Sequence, residues 1–107
     1  MSKSSNEKEI RDYVKSILNK QFKDGFTFDE FIGGCLSTRP DLATFTKTHI
    51  LLTEIKSDKD VLTNLENQCN DYSNNSDFVY LILDIVHYDK YTKNKNKYRK
   101  ATTYLYK

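Results

Sequence analysis

Asp41, Glu54 and Lys56 have the residue types and the spacing for phosphodiester chemistry. Asp41 lies thirteen residues before Glu54, and Ile55 and Lys56 follow directly. If the two segments pair as antiparallel strands, the carboxylates of Asp41 and Glu54 and the amine of Lys56 meet at one sheet edge. Paired carboxylates repel unless a cation lies between them, and a few hard oxygen ligands favour Mg²⁺ over Zn²⁺. We therefore expect a metal that polarises a phosphodiester and activates water, with Lys56 orienting that water or stabilising the phosphate charge.

The elements that must position these residues can be predicted from the sequence pattern. Residues 39–46 and 49–56 predict a β-hairpin, because the second run is rich in aliphatic and β-branched residues. Helical spacing predicts a helix over 7–20 and another that starts at a capping box over 57–60 and ends near Tyr72. Residues 26–32 predict a short strand or an irregular segment, and the apolar run 78–86 predicts a strand buried on both faces. A last strand is expected within 98–106. The predicted order is α-β-β-β-α-β, which is an α/β fold.

This combination of motif and element order resembles the PD-(D/E)xK nuclease superfamily. The resemblance rests on Glu9-Ile10-Arg11 in the first helix, Arg39-Pro40-Asp41 at the hairpin, and Glu54-Ile55-Lys56-Ser57-Asp58 at its end, followed by Gln68 and Tyr72. It covers about residues 7–86 and is similar to small single-domain bacterial and phage members. It implies a restriction-endonuclease-like core, with a mixed central sheet flanked by helices. Residues 1–107 would form one domain with a basic C-terminal segment over 87–107.

The resemblance also implies roles for individual residues. Asp41 and Glu54 would bind Mg²⁺, for which Mn²⁺ can substitute, and the backbone carbonyl of Ile55 would complete the metal shell. Lys56 would be the catalytic lysine. Gln68 and Tyr72, four residues apart and therefore on one helical face, would support the site or the DNA backbone. The superfamily often adds a glutamate from the first helix, for which Glu9 is the first candidate and Glu7 and Glu30 are the alternatives.

The charges are distributed unevenly along the chain. Residues 1–89 sum to −5, whereas residues 90–107 contain seven basic side chains and no acidic one. Interleaved lysines and tyrosines are typical of nucleic-acid-binding segments, although the same tyrosines could form a core or a dimer face. The predicted nucleic-acid contacts are Arg39, Tyr72, Lys93, Lys95, Lys97, Arg99 and Lys100.

Length and composition exclude several other classes of protein. The 107 residues suit one domain, and no apolar run is long enough to span a bilayer. The N-terminal residues lack the apolar region of a secretory signal, and Cys35 and Cys69 have no zinc-binding spacing. We therefore expect a reduced, cytoplasmic protein of a bacterium or of a phage-infected host, without an organic cofactor.

The leading hypothesis is a Mg²⁺-dependent nuclease that hydrolyses DNA in phage or bacterial DNA processing, repair or defence, either as a monomer or as a homodimer. The alternative is a catalytically weak or inactive module of the same fold that binds DNA or a protein.

Overall fold

A computed structural model describes residues 5–29, 36 and 38–107 of the chain. Helix α1 spans Ser5–Gln21, and strands β1, β2 and β3 span Phe26–Asp29, Leu42–Phe45 and Ile50–Lys56. Helix α2 (Leu65–Asn74) leads to β4 (Phe78–Asp84), helix α3 covers Tyr88–Lys93 between two short 3₁₀ turns, and β5 covers Thr102–Tyr106. The predicted α/β class is confirmed for these residues.

The five strands form one mixed sheet in the order β1-β2-β3-β4-β5. The β1–β2 and β2–β3 pairs are antiparallel, and the β3–β4 and β4–β5 pairs are parallel. The β3–α2–β4 connection is therefore a crossover between parallel neighbours, as strand–helix–strand units require. The predicted hairpin is β2–β3.

Apolar side chains fill the space on both faces of the sheet, because residues of a strand alternate between its two faces. On one face, Ile10, Val14 and Leu18 of α1 pack against Ile55 and Ile82. On the other face, residues of α2 pack against Leu81 and Leu83 of β4, together with Tyr98 from beyond α3. Burial on both faces explains why β3 and β4 have nearly continuous apolar sequences.

The predicted start of the second helix is wrong. Ser57 and Asp60 do interact, since both the backbone N–H and the hydroxyl of Ser57 donate to the Asp60 carboxylate, at 2.7 and 3.0 Å. This contact closes a turn, after which Val61 is exposed and Leu62 is buried. Helix α2 begins at Leu65, so the helix is two turns shorter at its N-terminal end than the pattern predicts.

The C-terminal region is more ordered than the sequence indicates. Residues 87–97, which we expected to be only polar and basic, contain helix α3 (Tyr88–Lys93) and part of a 3₁₀ turn over Lys95–Tyr98. Strand β5 then pairs with β4, so this region completes the sheet. Glu30, an alternative candidate for the metal-site glutamate, and Cys35, which we expected to be reduced, lie outside the described residues.

No helix within the described ranges is long and apolar enough to cross a membrane.

Candidate functional site

The β2–β3 hairpin places Asp41 next to Glu54. Leu42 pairs with Thr53 in the antiparallel register, so the preceding residue, Asp41, lies beside Glu54. The Asp41 Oδ2 atom accepts a hydrogen bond from the backbone N–H of Ile55 at 2.7 Å. The convergence predicted from the thirteen-residue spacing is thus present in the structure.

Glu54 is more deeply buried than Asp41 or Lys56, with 5% of its surface exposed. Its two carboxylate oxygens accept hydrogen bonds from the Tyr72 hydroxyl at 2.9 Å and from the Gln68 amide at 3.3 Å. The Lys56 ammonium lies 3.5 Å from the same carboxylate. Gln68 and Tyr72 reach it together because residues four apart share one face of α2.

Arg11 completes the group, and the site prediction did not include it. Its guanidinium donates to the backbone carbonyl of Asp41 at 2.9 Å and to the Asp41 carboxylate at 3.3 Å, and it also pairs with Glu7. Only 10% of the Arg11 side chain is exposed. The sequence feature that points to Arg11 is its position beside the apolar stripe of α1, directly after Ile10 and three residues before Val14. We call Arg11, Asp41, Glu54, Lys56, Gln68 and Tyr72 the acidic-pair cluster.

The first-helix glutamate near this cluster is Glu7, which was the alternative candidate. Glu7 lies four residues before Arg11 and pairs with its guanidinium, whereas Glu9 is exposed to solvent. The helical period explains the difference, since positions 7 and 11 share a face that position 9 does not.

Burial and like charge shift the protonation of the two carboxyl groups. Burial, with the nearby Asp41 carboxylate as the second cause, raises the pKa of Glu54 to about 8, although Lys56 and the Tyr72 hydroxyl oppose this shift. Burial also raises the pKa of Asp41, against the Ile55 N–H and Arg11, which lower it. Burial and the neighbouring Asp41 carboxylate therefore favour the protonated form of Glu54.

The carboxylate oxygens of Asp41 and Glu54 form hydrogen bonds within the protein. All four carboxylate oxygens of the pair already accept hydrogen bonds from protein groups. The cations beside them are Arg11, which pairs with Asp41, and Lys56, which pairs with Glu54. Within residues 5–29, 36 and 38–107, no group of three or more His, Cys, Asp or Glu side chains could hold a metal ion. Metal binding, as predicted for Asp41, Glu54, the Ile55 carbonyl and Glu9, is therefore not supported.

A second polar feature lies on the surface of the C-terminal region. Residues 90–100, here called the basic segment, carry six cationic side chains and no acidic one. All six are exposed, and none forms an ion pair with a side chain that the structure describes. They are Lys90, Lys93, Lys95, Lys97, Arg99 and Lys100.

Two tyrosines attach the basic segment to the core. Tyr98 is 5% exposed and packs with apolar residues of α2 and β4. The Tyr91 ring stacks on the Tyr98 ring, with 6.0 Å between centroids and 16° between planes. Tyr98 is therefore a core residue and Tyr91 packs against the core, so these two tyrosines do not form a row of free aromatic rings.

The remaining predicted nucleic-acid contacts separate into exposed and buried side chains. Arg39 is exposed on the loop before β2. Tyr72 is completely buried and donates its hydroxyl to Glu54, so its ring faces the cluster. Lys93, Lys95, Lys97, Arg99 and Lys100 all belong to the basic segment.

The fold and these two features describe a small α/β protein with a compensated internal acid pair and a cationic surface. A family model described as bacteriophage P4 protein cII matches residues 1–98. The chain therefore belongs to the bacteriophage P4 cII protein family. Neither a curated protein nor a solved structure matches the chain significantly.

The family assignment overturns the nuclease interpretation. The PD-(D/E)xK resemblance rested on a short motif, and short Asp, Glu and Lys patterns recur by chance in chains rich in charged residues. The family match covers 98 residues, so it outweighs that motif. The proposed nuclease function and the hydrolase and metal-binding descriptions are therefore wrong, whereas the phage origin agrees with the family. That the protein has an enzymatic activity and that it uses Mg²⁺ or Mn²⁺ as a cofactor are still predictions from the sequence.

Proposed function

We propose that this chain is a DNA-binding module of a phage. The observation that carries the proposal is the basic segment, which holds six exposed cations within eleven residues and contains no carboxylate. Cationic side chains bind nucleic acid by neutralising phosphates and releasing condensed counterions. The remainder of the chain is net acidic, so the attraction for a polyanion is confined to one region of the molecule.

The packing of the basic segment supports this proposal. A flexible lysine-rich tail would lose conformational entropy when it binds. Here the backbone is already held by helix α3, by the following 3₁₀ turn and by the buried Tyr98 ring. The lysines therefore project from a fixed scaffold, and less ordering is needed on binding.

We infer that the acidic-pair cluster has a structural role. It joins three parts of the fold, since Arg11 comes from α1, Glu54 from β3 and Tyr72 from α2. Because its members already bond to one another, the cluster needs no ligand to satisfy its charges.

The element order and the central mixed sheet also support the finer fold proposal, in which this scaffold has a restriction-endonuclease-like architecture.

DNA binding is tested by fluorescence anisotropy with a labelled 20-base-pair duplex across a series of salt concentrations. The proposal expects measurable binding that weakens steeply with salt, since each neutralised phosphate contributes about −0.9 to the slope of log K against log salt. The double variant K95A/K97A removes two charges from the basic segment. Its matched control, K20A/K23A, removes two exposed lysines from the end of α1 and the following turn. The proposal would be refuted if the wild-type protein did not bind the duplex, or if both variants lost the same amount of affinity for it.

The same samples can test the narrower predictions. Incubation of the duplex with Mg²⁺ or Mn²⁺ checks for cleavage, with D41A and K56A as the comparison variants. Sedimentation velocity checks for the homodimer. We place the protein in the cytoplasm of the phage-infected cell as part of the proposal, because that is where DNA is accessible to it.

A further inference from the structure

We infer that the basic segment binds the phosphate backbone of duplex DNA and does not bind single strands by base stacking. This inference rests on the proposed function and specifies the form of nucleic acid that the surface accepts. It is based on which groups of the segment are free and which are already engaged within the fold.

The free groups of the segment are cations and amides. Residues 92–97 line one concave surface to which lysines 93, 95 and 97 contribute and no carboxylate does. Thr92 and Asn94 are not free, since their side chains donate to the backbone carbonyls of Asp89 and Lys90. Three ammonium groups and the Asn96 amide remain to meet an anion.

A neighbouring concave surface extends the cationic region toward α2. Lys90 and Lys97 line it together with Tyr98 and with Thr63 and Glu66, near the start of that helix. Lys97 and Asn94 belong to both surfaces. Lys90, Lys93, Lys95 and Lys97 therefore border two adjoining hollows, an arrangement that suits several successive phosphates. Glu66 makes the second hollow less favourable for an anion than the first.

Aromatic rings of this region are largely unavailable for stacking. Binding of single strands commonly requires flat rings on which successive bases stack. Tyr91 and Tyr98 are stacked on each other, and Tyr98 is buried. Tyr104 and Tyr106 of β5 pack edge-on against Tyr80 and Tyr13. Although 49% of Tyr104 is exposed, these rings lie on the α1 face of the sheet, opposite the face that α2 and Tyr98 cover.

Tyr88, at the start of α3, is the exposed ring near the basic segment, with 48% of its surface accessible. A single ring does not form a stacking platform for successive bases. Lysines fixed on a folded scaffold instead match a duplex, whose phosphates have a regular spacing. Phosphate contacts of this kind fix position and carry no direct sequence information.

The experiment compares a 20-base-pair duplex with a 20-nucleotide single strand at equal salt, using the full chain and fluorescence anisotropy. We expect the duplex to bind at least several-fold more tightly and AT-rich and GC-rich duplexes to bind equally. In K95A/K97A the salt slope should fall by about 2, because each phosphate contact contributes about 1. In Y88A, affinity for both forms should stay within about twofold of wild type.

Two results would overturn the inference while leaving the proposed function intact. One is tighter binding of the single strand than of the duplex. The other is a loss of DNA affinity in Y88A that is as large as the loss in K95A/K97A. Binding of neither form would instead refute the proposed function itself. Circular dichroism of every variant confirms that losses do not come from unfolding, and K20A/K23A again controls for net charge.

Discussion

Replacing Glu54 with glutamine should remove most of the pH dependence of stability that the acidic-pair cluster creates. Glutamine has nearly the shape of a protonated glutamate, and its one side-chain oxygen can still accept the hydrogen bond from the Tyr72 hydroxyl. It cannot ionise, however, so the penalty for a buried charge beside Asp41 disappears. E54Q therefore isolates one carboxyl group with little change in packing.

The sign of the effect follows from proton binding. The pKa of Glu54 is raised from 4.5 to about 8 in the folded chain, so the folded state holds more protons than the unfolded state between these values. The free energy of unfolding must then fall as the pH rises through this window. One pKa unit corresponds to about 1.4 kcal/mol, so wild type should lose about 4 kcal/mol between pH 5 and pH 8 through this group.

Urea denaturation at pH 5, 6, 7 and 8 measures the effect. We expect the unfolding free energy of E54Q, relative to that of wild type, to increase steadily as the pH rises. The control variant E66Q removes an exposed carboxylate from the first turn of α2, and its unfolding free energy should follow the wild-type pH profile. A difference between E54Q and wild type that stays constant over this range would show that Glu54 does not retain its proton in the folded chain.

Three further perturbations test other contacts. R11A leaves the Asp41 and Glu7 carboxylates without their shared cation, so it should lower the unfolding free energy by about 3 kcal/mol in urea titrations at pH 7; an effect as small as that of K8A, an exposed α1 pair member, would contradict the assignment. Y72F removes the hydroxyl that donates to Glu54 and should cost about 1–3 kcal/mol by the same assay, whereas no loss would mean that the bond is dispensable. G25A should destabilise by about 1–3 kcal/mol, because a Cβ there would lie 2.8 Å from the Phe45 carbonyl oxygen; an unchanged thermal midpoint would argue against this close approach.

The sequence allowed the element order and the hairpin to be predicted because both depend on local patterns. Alternation and aliphatic content identify β3, and the helical stripe of Ile10, Val14 and Leu18 identifies α1. Asp41 and Glu54 could be placed together since a hairpin converts sequence spacing into register.

Other features depended on contacts that no local pattern reports. Arg11 reaches Asp41 across thirty residues, so its role follows only from how α1 lies on the sheet. The start of α2 was misplaced because the Ser57–Asp60 contact closes a turn as readily as it caps a helix. Paired carboxylates suggest a metal ion, whereas in the structure an internal arginine and a lysine lie beside them.

Tyr98 packs with apolar residues of α2 and β4, and Tyr91 stacks on Tyr98. These contacts make the basic segment part of the folded domain. A chain truncated at residue 89 would lose β5 and the cover over Leu81 and Leu83, in addition to its cations. Trypsin should report this coupling, since cleavage requires local opening of the backbone. The lysines and arginine of this region should therefore resist limited digestion until conditions also loosen α2, after which the segment and the helix should be lost together.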